Sequence, residues 1–300
     1  MKLPPVPADL PNEILFDPPK PLKRISAGLN SVVCIKQVPH AEGLIVDPVK
    51  KTLKREGAYA VINPPDENAF EVAMDLKDRH GGRVTVLTMG PPQAEAALRD
   101  LMSRGADEVV LITDRSFAGA DTYPTSLTLA AGILRIEEHF GDFVDLVICG
   151  EETTDSSTGH TGPGIGEHLG YNQATFISRF EFHAERSMFR AKRVLEGAYE
   201  IVEIPNPAVI TATLNMNHPR ISTLRGKIKA KQYQLIKWDL PTVGLPKEWV
   251  GLKGSPTVVG EVYTEESEYR VCEKLDESTG TLEQRARTAI KRLIQKGVLT

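Results

Sequence analysis

Apolar and polar positions along most of this chain alternate between two periods. "SVVCIKQV" (31–38) is a short apolar, β-branched run that suits a buried strand. "GLIVDPVKKTLKREGAYAVINPP" (43–65) has the pattern of a hairpin and loop, with Asp47-Pro48 near the turn. In "DENAFEVAMDLKDRHGG" (66–82), Ala69, Val72, Ala73 and Leu76 share one helical face, and the Gly81-Gly82 pair marks its end. "RVTVLTMG" (83–90) then reads as a strand, "QAEAALRDLMSRGA" (93–106) as a helix and "EVVLIT" (108–113) as a strand. "PTSLTLAAGILRIEEHF" (124–140) is helical again, and "DFVDLVICG" (142–150) is a further strand. Strands alternating with helices of this length predict an α/β fold, a parallel sheet with helices on both faces. Ligands of such sheets sit beyond the carboxyl ends of the strands.

The pattern changes after residue 170. "FISRFEFHAERSMFRAKRVLEGAYEIVEIP" (176–205) alternates with period two around a polar turn near 184–187, as in a β-hairpin, and "PAVITATL" (207–214) is another apolar strand. From Asn215 to Thr257 no helix-length period emerges, and prolines at 219, 241, 246 and 256 interrupt any continuous element, which predicts an extended arm. "GTLEQRARTAIKRLIQKG" (280–297) is a short amphipathic helix. The organisation expected is therefore a proline-rich N-terminal extension (1–30), an α/β domain (31–214) with a hairpin arm (179–204), and an extended arm with a C-terminal helix (215–300).

Composition narrows the function classes. The 300 residues carry 36 Lys and Arg against 40 Asp and Glu, a net charge of −4, so no overall field draws nucleic acid or an anionic membrane. No apolar run approaches the ~18 residues of a membrane span. The first residues resemble neither a secretory signal nor an Arg/Ser-rich transit helix, which leaves a cytoplasmic location as the expectation. The three cysteines show no metal-ligand spacing; Cys34 and Cys149 lie inside apolar strands and read as small buried hydrophobes.

The chemistry-bearing stretch follows the last of the alternating strands. Residues 153–166, "TTDSSTGHTGPGIG", combine Gly159, Gly162, Gly164 and Gly166, the hydroxyls of Ser156, Ser157, Thr158 and Thr161, and Pro163 in the first turn of a helix. Backbone N–H groups converging at a helix N-terminus with little side-chain bulk are what a phosphate needs; a strand-to-helix connection capped by Ser or Thr is the plainer alternative. The chain contains no G-x-x-x-x-G-K-[ST], no G-x-G-x-x-G after the first strand, and no G-x-S-x-G. His160 reads as a hydrogen-bond donor to a phosphate or sugar, or as a solvent-facing side chain. Glu151-Glu152 reads as a solvated strand end. The run "RGKIKAKQ", with Arg220 upstream, reads as a phosphate site, a solvated face or a partner contact. A binding protein fits these features better than one with its own bond-making machinery.

Five segments carry a family resemblance: "IKQVP" (35–39), "NPPDENAFEVA" (63–73), "TMGPPQAEAALRDLMSRGADE" (88–108), "DLVICGEETTDSSTGHTGP" (145–163) and "PAVITATLNMNHPRISTLRGKIKAK" (207–231). In this order they resemble the β subunit of electron transfer flavoprotein, over about residues 31–257. The resemblance implies an adenine nucleotide alpha hydrolase-like fold paired with an α subunit. It implies a nucleotide pocket at Cys34, Asn63, Pro64, Pro65, Asp66, Met89 and the loop Gly150, Glu151, Glu152, Thr153, Thr154, Asp155, Ser156, Ser157, Thr158, Gly159, His160 and Thr161. Cys34 then becomes a wall of the adenine pocket. The pocket holds AMP in the respiratory type and a second FAD, reduced by NADH, in electron-bifurcating relatives. "VDPVKKTLKREGAYAVINPPDENA" and "TGHTGP" are similar to the bifurcating type, with His160 and Thr161 departing from its Gln and Val, so FAD is the expectation and AMP the alternative. The expected partners are the α subunit, wrapped by the hairpin and arm, a flavin dehydrogenase such as an acyl-CoA dehydrogenase, and a ferredoxin or quinone-linked oxidoreductase. Arg220, Leu224 and Arg225 would form the dehydrogenase contact, with Leu224 as its apolar anchor.

Overall fold

The structure is a computed structural model that describes residues 28–39, 45–46, 53–54, 60–257, 274–276, 278 and 280–299. The proline-rich extension up to residue 27, the Asp47-Pro48 turn and Cys272 lie outside the described residues. The chain divides after Glu261 into two units.

In the first unit, β1 (Ser31–Cys34), β2 (Gln37–Pro39), β3 (Ile45–Val46), β4 (Leu53–Lys54) and β5 (Ala60–Ile62) precede α1 (Pro64–His80). Next come β6 (Val84–Met89), α2 (Glu95–Arg104), β7 (Glu108–Ile112), α3 (Thr122–Phe140), β8 (Leu146–Gly150) and α4 (Thr161–Leu169). β9 (Asn172–His183), β10 (Met188–Leu195), β11 (Ala198–Pro205) and β12 (Ala208–Ala212) follow. α5 (Leu224–Gln232), β13 (Ile236–Trp238), α6 (Leu240–Val243) and α7 (Gly251–Gly254) close the unit.

One nine-stranded sheet runs β11-β10-β9-β12-β8-β1-β6-β7-β13. Its members from β12 to β13 pair in parallel, as does β9 with β12, while β9, β10 and β11 pair antiparallel. The apolar runs seen in the sequence bury both faces of this sheet. Val33, Val86, Leu111 and Ile148 face α1 and α2, where Phe70, Leu98 and Leu101 meet them. Val32, Leu87, Val110 and Val147 face α3 and α4, against Leu127, Ile133 and Ile165. A sheet covered on both sides needs continuous apolar strands, which is why these segments lack a polar alternate.

The small pair β3–β4 is antiparallel, as the hairpin pattern of 43–65 predicts, and β2, outside that pattern, pairs antiparallel with β5. Two expectations are revised. The segment 176–205 holds two successive hairpins, because Gly197 takes a φ of 71° in a second turn between β10 and β11. The segment after 214 is also more regular than an extended arm. α5 packs on α2, and β13 joins the sheet edge beside β7 in parallel register, Lys237 opposite Leu111. Its three residues are too short to show a period, so their partner strand rather than their own pattern makes them a strand.

The second unit contains α8 (Leu282–Gln295), started by a capping box in which the Thr281 side chain accepts from Gln284 N while Gln284 Oε1 accepts from Thr281 N at 2.9 Å. Among the described residues no helix is long and apolar enough to cross a membrane.

Candidate functional site

The chain leaves β1 toward β6 on one side and later returns to place β8 on the other. The topological switch point therefore lies at the carboxyl ends of β1 and β8, which carry Cys34 and Gly150. Asn63 and the first turn of α1 stand over the same ends.

A fixed polar staple holds the loop after β8. Asn63 donates from Nδ2 to the Glu152 carbonyl at 2.9 Å and accepts at Oδ1 from Thr154 N at 3.1 Å. The same Nδ2 reaches Asp66 Oδ1 at 3.0 Å. Asp66 also accepts from Gly150 N at 3.1 Å and, through Oδ2, from Lys36 N at 2.7 Å. Burial pushes the Asp66 carboxyl up to about 7, against the lowering influence of Asn63, Lys36 and Gly150. Gly150 is required here, because a Cβ on it would lie 2.3 Å from Asp66 Oδ1.

Farther along the loop, Lys36 Nζ pairs with Asp155 Oδ1 at 2.7 Å. Partial burial opposes the Asp155 charge, yet hydrogen bonds from Lys36 and Thr153 hold its carboxyl below the usual range. The Thr153 and Ser156 hydroxyls lie 2.7 Å apart, and Ser157 takes a φ of 46°. Glu151 is not a solvated strand end: its N–H donates to the Ala212 carbonyl and its carboxylate accepts from Leu214 N, both at 2.9 Å. Glu152 is exposed.

The run Thr158, Gly159, His160, Thr161 and Gly162 then enters α4. Among the described residues, none of these five N–H groups has a protein acceptor. Gly162 sits so close to β12 that a Cβ would meet Thr211 Cγ2 at 2.5 Å. His160 is exposed, caps nothing with its side chain, and offers its carbonyl to Gly164 N at 2.9 Å. Five free donors at a helix N-terminus, one of them on an exposed histidine, suit a phosphate through N–H bonds and the positive end of the helix dipole.

The remaining candidates line the same rim. Cys34 is buried, as is Cys149 on the adjacent strand. A hydrogen bond with the Cys34 thiol, together with burial, pushes the Cys149 thiol well above its ordinary range, so Cys149 is not a thiolate nucleophile. Met89 ends β6, half-buried; Pro65 is buried beneath the loop and Pro64 is exposed. Lys36, Thr211 and Ala212 escaped the sequence reading because they act through contacts from distant strands. Only the position of Lys36 between two strand segments could have marked it.

The arm residues separate into two kinds. Arg220 turns inward, its guanidinium 3.0 Å from Glu71 and 2.9 Å from Asp78 on α1, and its N–H on Glu71 at 2.8 Å. Asn217 and Asn68 exchange hydrogen bonds at 2.8 to 3.0 Å beside it. Leu224, 78% exposed, begins α5, whose N-cap Thr223 accepts from Gly226 N at 3.0 Å; Arg225 is also exposed. A cavity of about 470 Å³ lies elsewhere, around the first hairpin turn, lined by residues including Phe182, Met188 and Arg190. It contains none of the strand-end groups. Among the described residues no three His, Cys, Asp or Glu side chains are grouped to hold a metal.

Residues 50–243 match the profile of the electron transfer flavoprotein domain. The electron transfer flavoprotein subunit beta of Clostridium acetobutylicum is 42% identical over 238 residues, 79% of this chain and 89% of that protein. Protein FixA of Azotobacter vinelandii is 40% identical over 267 residues, 88% of this chain and 94% of that protein. The caffeyl-CoA reductase-Etf complex subunit CarD of Acetobacterium woodii is 38% identical over 229 residues, 76% of this chain and 85% of that protein. With this breadth of identity and a sheet whose switch point carries the family's segments, the chain belongs to the electron transfer flavoprotein β subunit and FixA family.

Proposed function

We propose that this chain is the β half of an electron transfer flavoprotein heterodimer and holds FAD at the switch point, with AMP as the alternative occupant. The observation that carries the reading is the row of five N–H groups from Thr158 to Gly162 that have no protein acceptor among the described residues, beside a loop clamped by Asn63 and Asp66. The residues present fit such a group: the N–H groups of 158–162 have no protein acceptor among the described residues and can bind phosphate, and Cys34 and Met89 offer an apolar wall. A bound flavin would supply the electron-accepting ring, and the chain its position and surroundings.

In this reading Thr158 to Gly162 bind phosphate and the staple orients the loop. Leu224 and Arg225 contact a flavin dehydrogenase of the acyl-CoA type, and the hairpin and arm wrap the α subunit. NADH would be the electron donor of a bifurcating complex, with a ferredoxin or quinone-linked oxidoreductase beyond it. The similarity to a subunit of a reductase-Etf complex supports a role inside a larger assembly.

The test is to purify the full-length chain with its α subunit, release the bound nucleotides and count them. Two FAD per heterodimer support the bifurcating reading, and one FAD with one AMP supports the structural alternative. A heterodimer with no nucleotide in this subunit, or ATP turnover by the isolated chain, would overturn both.

A further inference from the structure

The resemblance groups Asp66 with the residues of the pocket, but its geometry gives it a different task. Asp66 is 4% exposed, and both carboxylate oxygens are committed to the protein. Oδ1 accepts from Asn63 Nδ2 at 3.0 Å and from Gly150 N at 3.1 Å, while Oδ2 accepts from Lys36 N at 2.7 Å. These donors come from the segment before α1 and from the ends of the two strands that flank the switch point. Every bond that the buried side chain makes is to the protein. We infer that Asp66 is a positioning residue: its carboxylate joins the ends of β1 and β8 to Asn63 and so sets the 150–155 loop in the shape that lets the following amides grip a phosphate. This deepens the nucleotide reading above and rests on it.

The arrangement makes the grip depend on protonation. A carboxylate accepts all three bonds with a full charge, whereas a neutral carboxylic acid accepts them more weakly and adds a proton that none of these donors can accept. Burial moves the Asp66 carboxyl up to about 7, so the change falls within the working range of pH. The charged and titratable groups facing it are Lys36, itself paired with Asp155 at 2.7 Å, and the Cys149 thiol beside Cys34. The Lys36 charge favours the carboxylate. Burial and the Cys34 neighbour hold the Cys149 thiol neutral, so it does not compete for the proton.

The experiment measures FAD and AMP binding to the full-length chain from pH 6 to pH 8, by flavin fluorescence and by AMP competition. Wild type should bind about tenfold more weakly at pH 6 than at pH 8, the effect of turning charge-assisted hydrogen bonds into neutral ones. Asp66→Asn should bind about tenfold more weakly at pH 8, and its pH profile should be flat. A folded Asp66→Asn chain with wild-type affinity and a wild-type profile would overturn the positioning role. If that variant does not fold, wild type decides alone: a flat profile for FAD, whose diphosphate does not titrate in this range, overturns it as well. Failure of the wild-type chain to bind either nucleotide at any pH would instead remove the nucleotide reading, and this role with it.

Discussion

The two ends of the parallel strands are built from similar buried polar groups and differ in what they leave over. At the amino ends, Asp145 accepts from Asn30 N at 2.8 Å and from Asn206 Nδ2 at 2.9 Å. Glu137 Oε1 accepts there from Val144 N at 2.8 Å and the Tyr171 hydroxyl at 3.2 Å. The surplus at that end is of acceptors, since Glu137 Oε2 and Asn206 Oδ1 are buried without a partner among the described residues. At the carboxyl ends both Asp66 oxygens are bonded and, among the described residues, the surplus is of donors, the five amides entering α4. Spare donors suit an anion. Spare buried acceptors suit a proton, and burial accordingly raises the Glu137 carboxyl above its usual range. The sign of the unspent hydrogen-bonding capacity, more than the presence of buried charge, distinguishes the two ends.

The strongest attack on this contrast is steric. Gly150→Val would drive its side chain into Asp66 Oδ1 and Pro65, and should abolish nucleotide binding while lowering stability by about 3 kcal/mol. Nucleotide content and urea denaturation check both; a variant with wild-type content would remove the staple from the account.

The same kind of damage at the other end should leave function alone. Asp145→Ala strands the Asn30 amide and the Asn206 side chain, at a cost of about 2 kcal/mol, with nucleotide content per folded molecule unchanged. Loss of nucleotide in a folded Asp145→Ala chain would show that the two ends are not separable.

Acidity sharpens the comparison further. A carboxyl whose pKa is higher in the folded than in the unfolded chain takes up its proton on folding, so its contribution to stability is greatest at low pH. That contribution is lost as pH rises toward the folded value, about 7 for Asp66. Stability should thus fall between pH 5 and pH 8, and Asp66→Asn should flatten the slope. Denaturation midpoints at the two pH values test this, and a rise in wild-type stability over the interval would contradict the burial of Asp66. Fold stability and the grip on phosphate should therefore respond to pH in opposite directions.

The smallest effect on the fold is expected at the arm. Leu224→Ala removes an exposed side chain, so stability should change by less than about 0.5 kcal/mol and nucleotide content not at all. Electron transfer with the dehydrogenase partner should slow, and unchanged rates would remove the anchor role of Leu224.

Much of the architecture was legible in the chain's periodicity. The apolar runs at 31–34, 84–89, 108–112 and 146–150 are strands, and the helical face of Ala69, Val72, Ala73 and Leu76 is buried. The glycine-rich stretch after β8 stands where a parallel sheet exposes its strand ends. Other features were hidden. Arg220 looked like a free basic group, yet Glu71 and Asp78, distant in sequence, draw it inward. Glu151 looked solvated, yet it ties the loop to the segment after β12.

The sequence by itself determined the α/β class, the order of the main strands and helices, and the place of the glycine loop. These follow from local periodicity and backbone preference, which each segment carries within its own dozen residues. Tertiary structure alone decided that β13 completes the sheet edge, that Lys36 meets Asp155, and that Asp66 serves the protein's own amides. Each of those depends on groups 30 to 126 residues apart arriving within hydrogen-bond reach, and only burial in the assembled sheet makes their partnership matter.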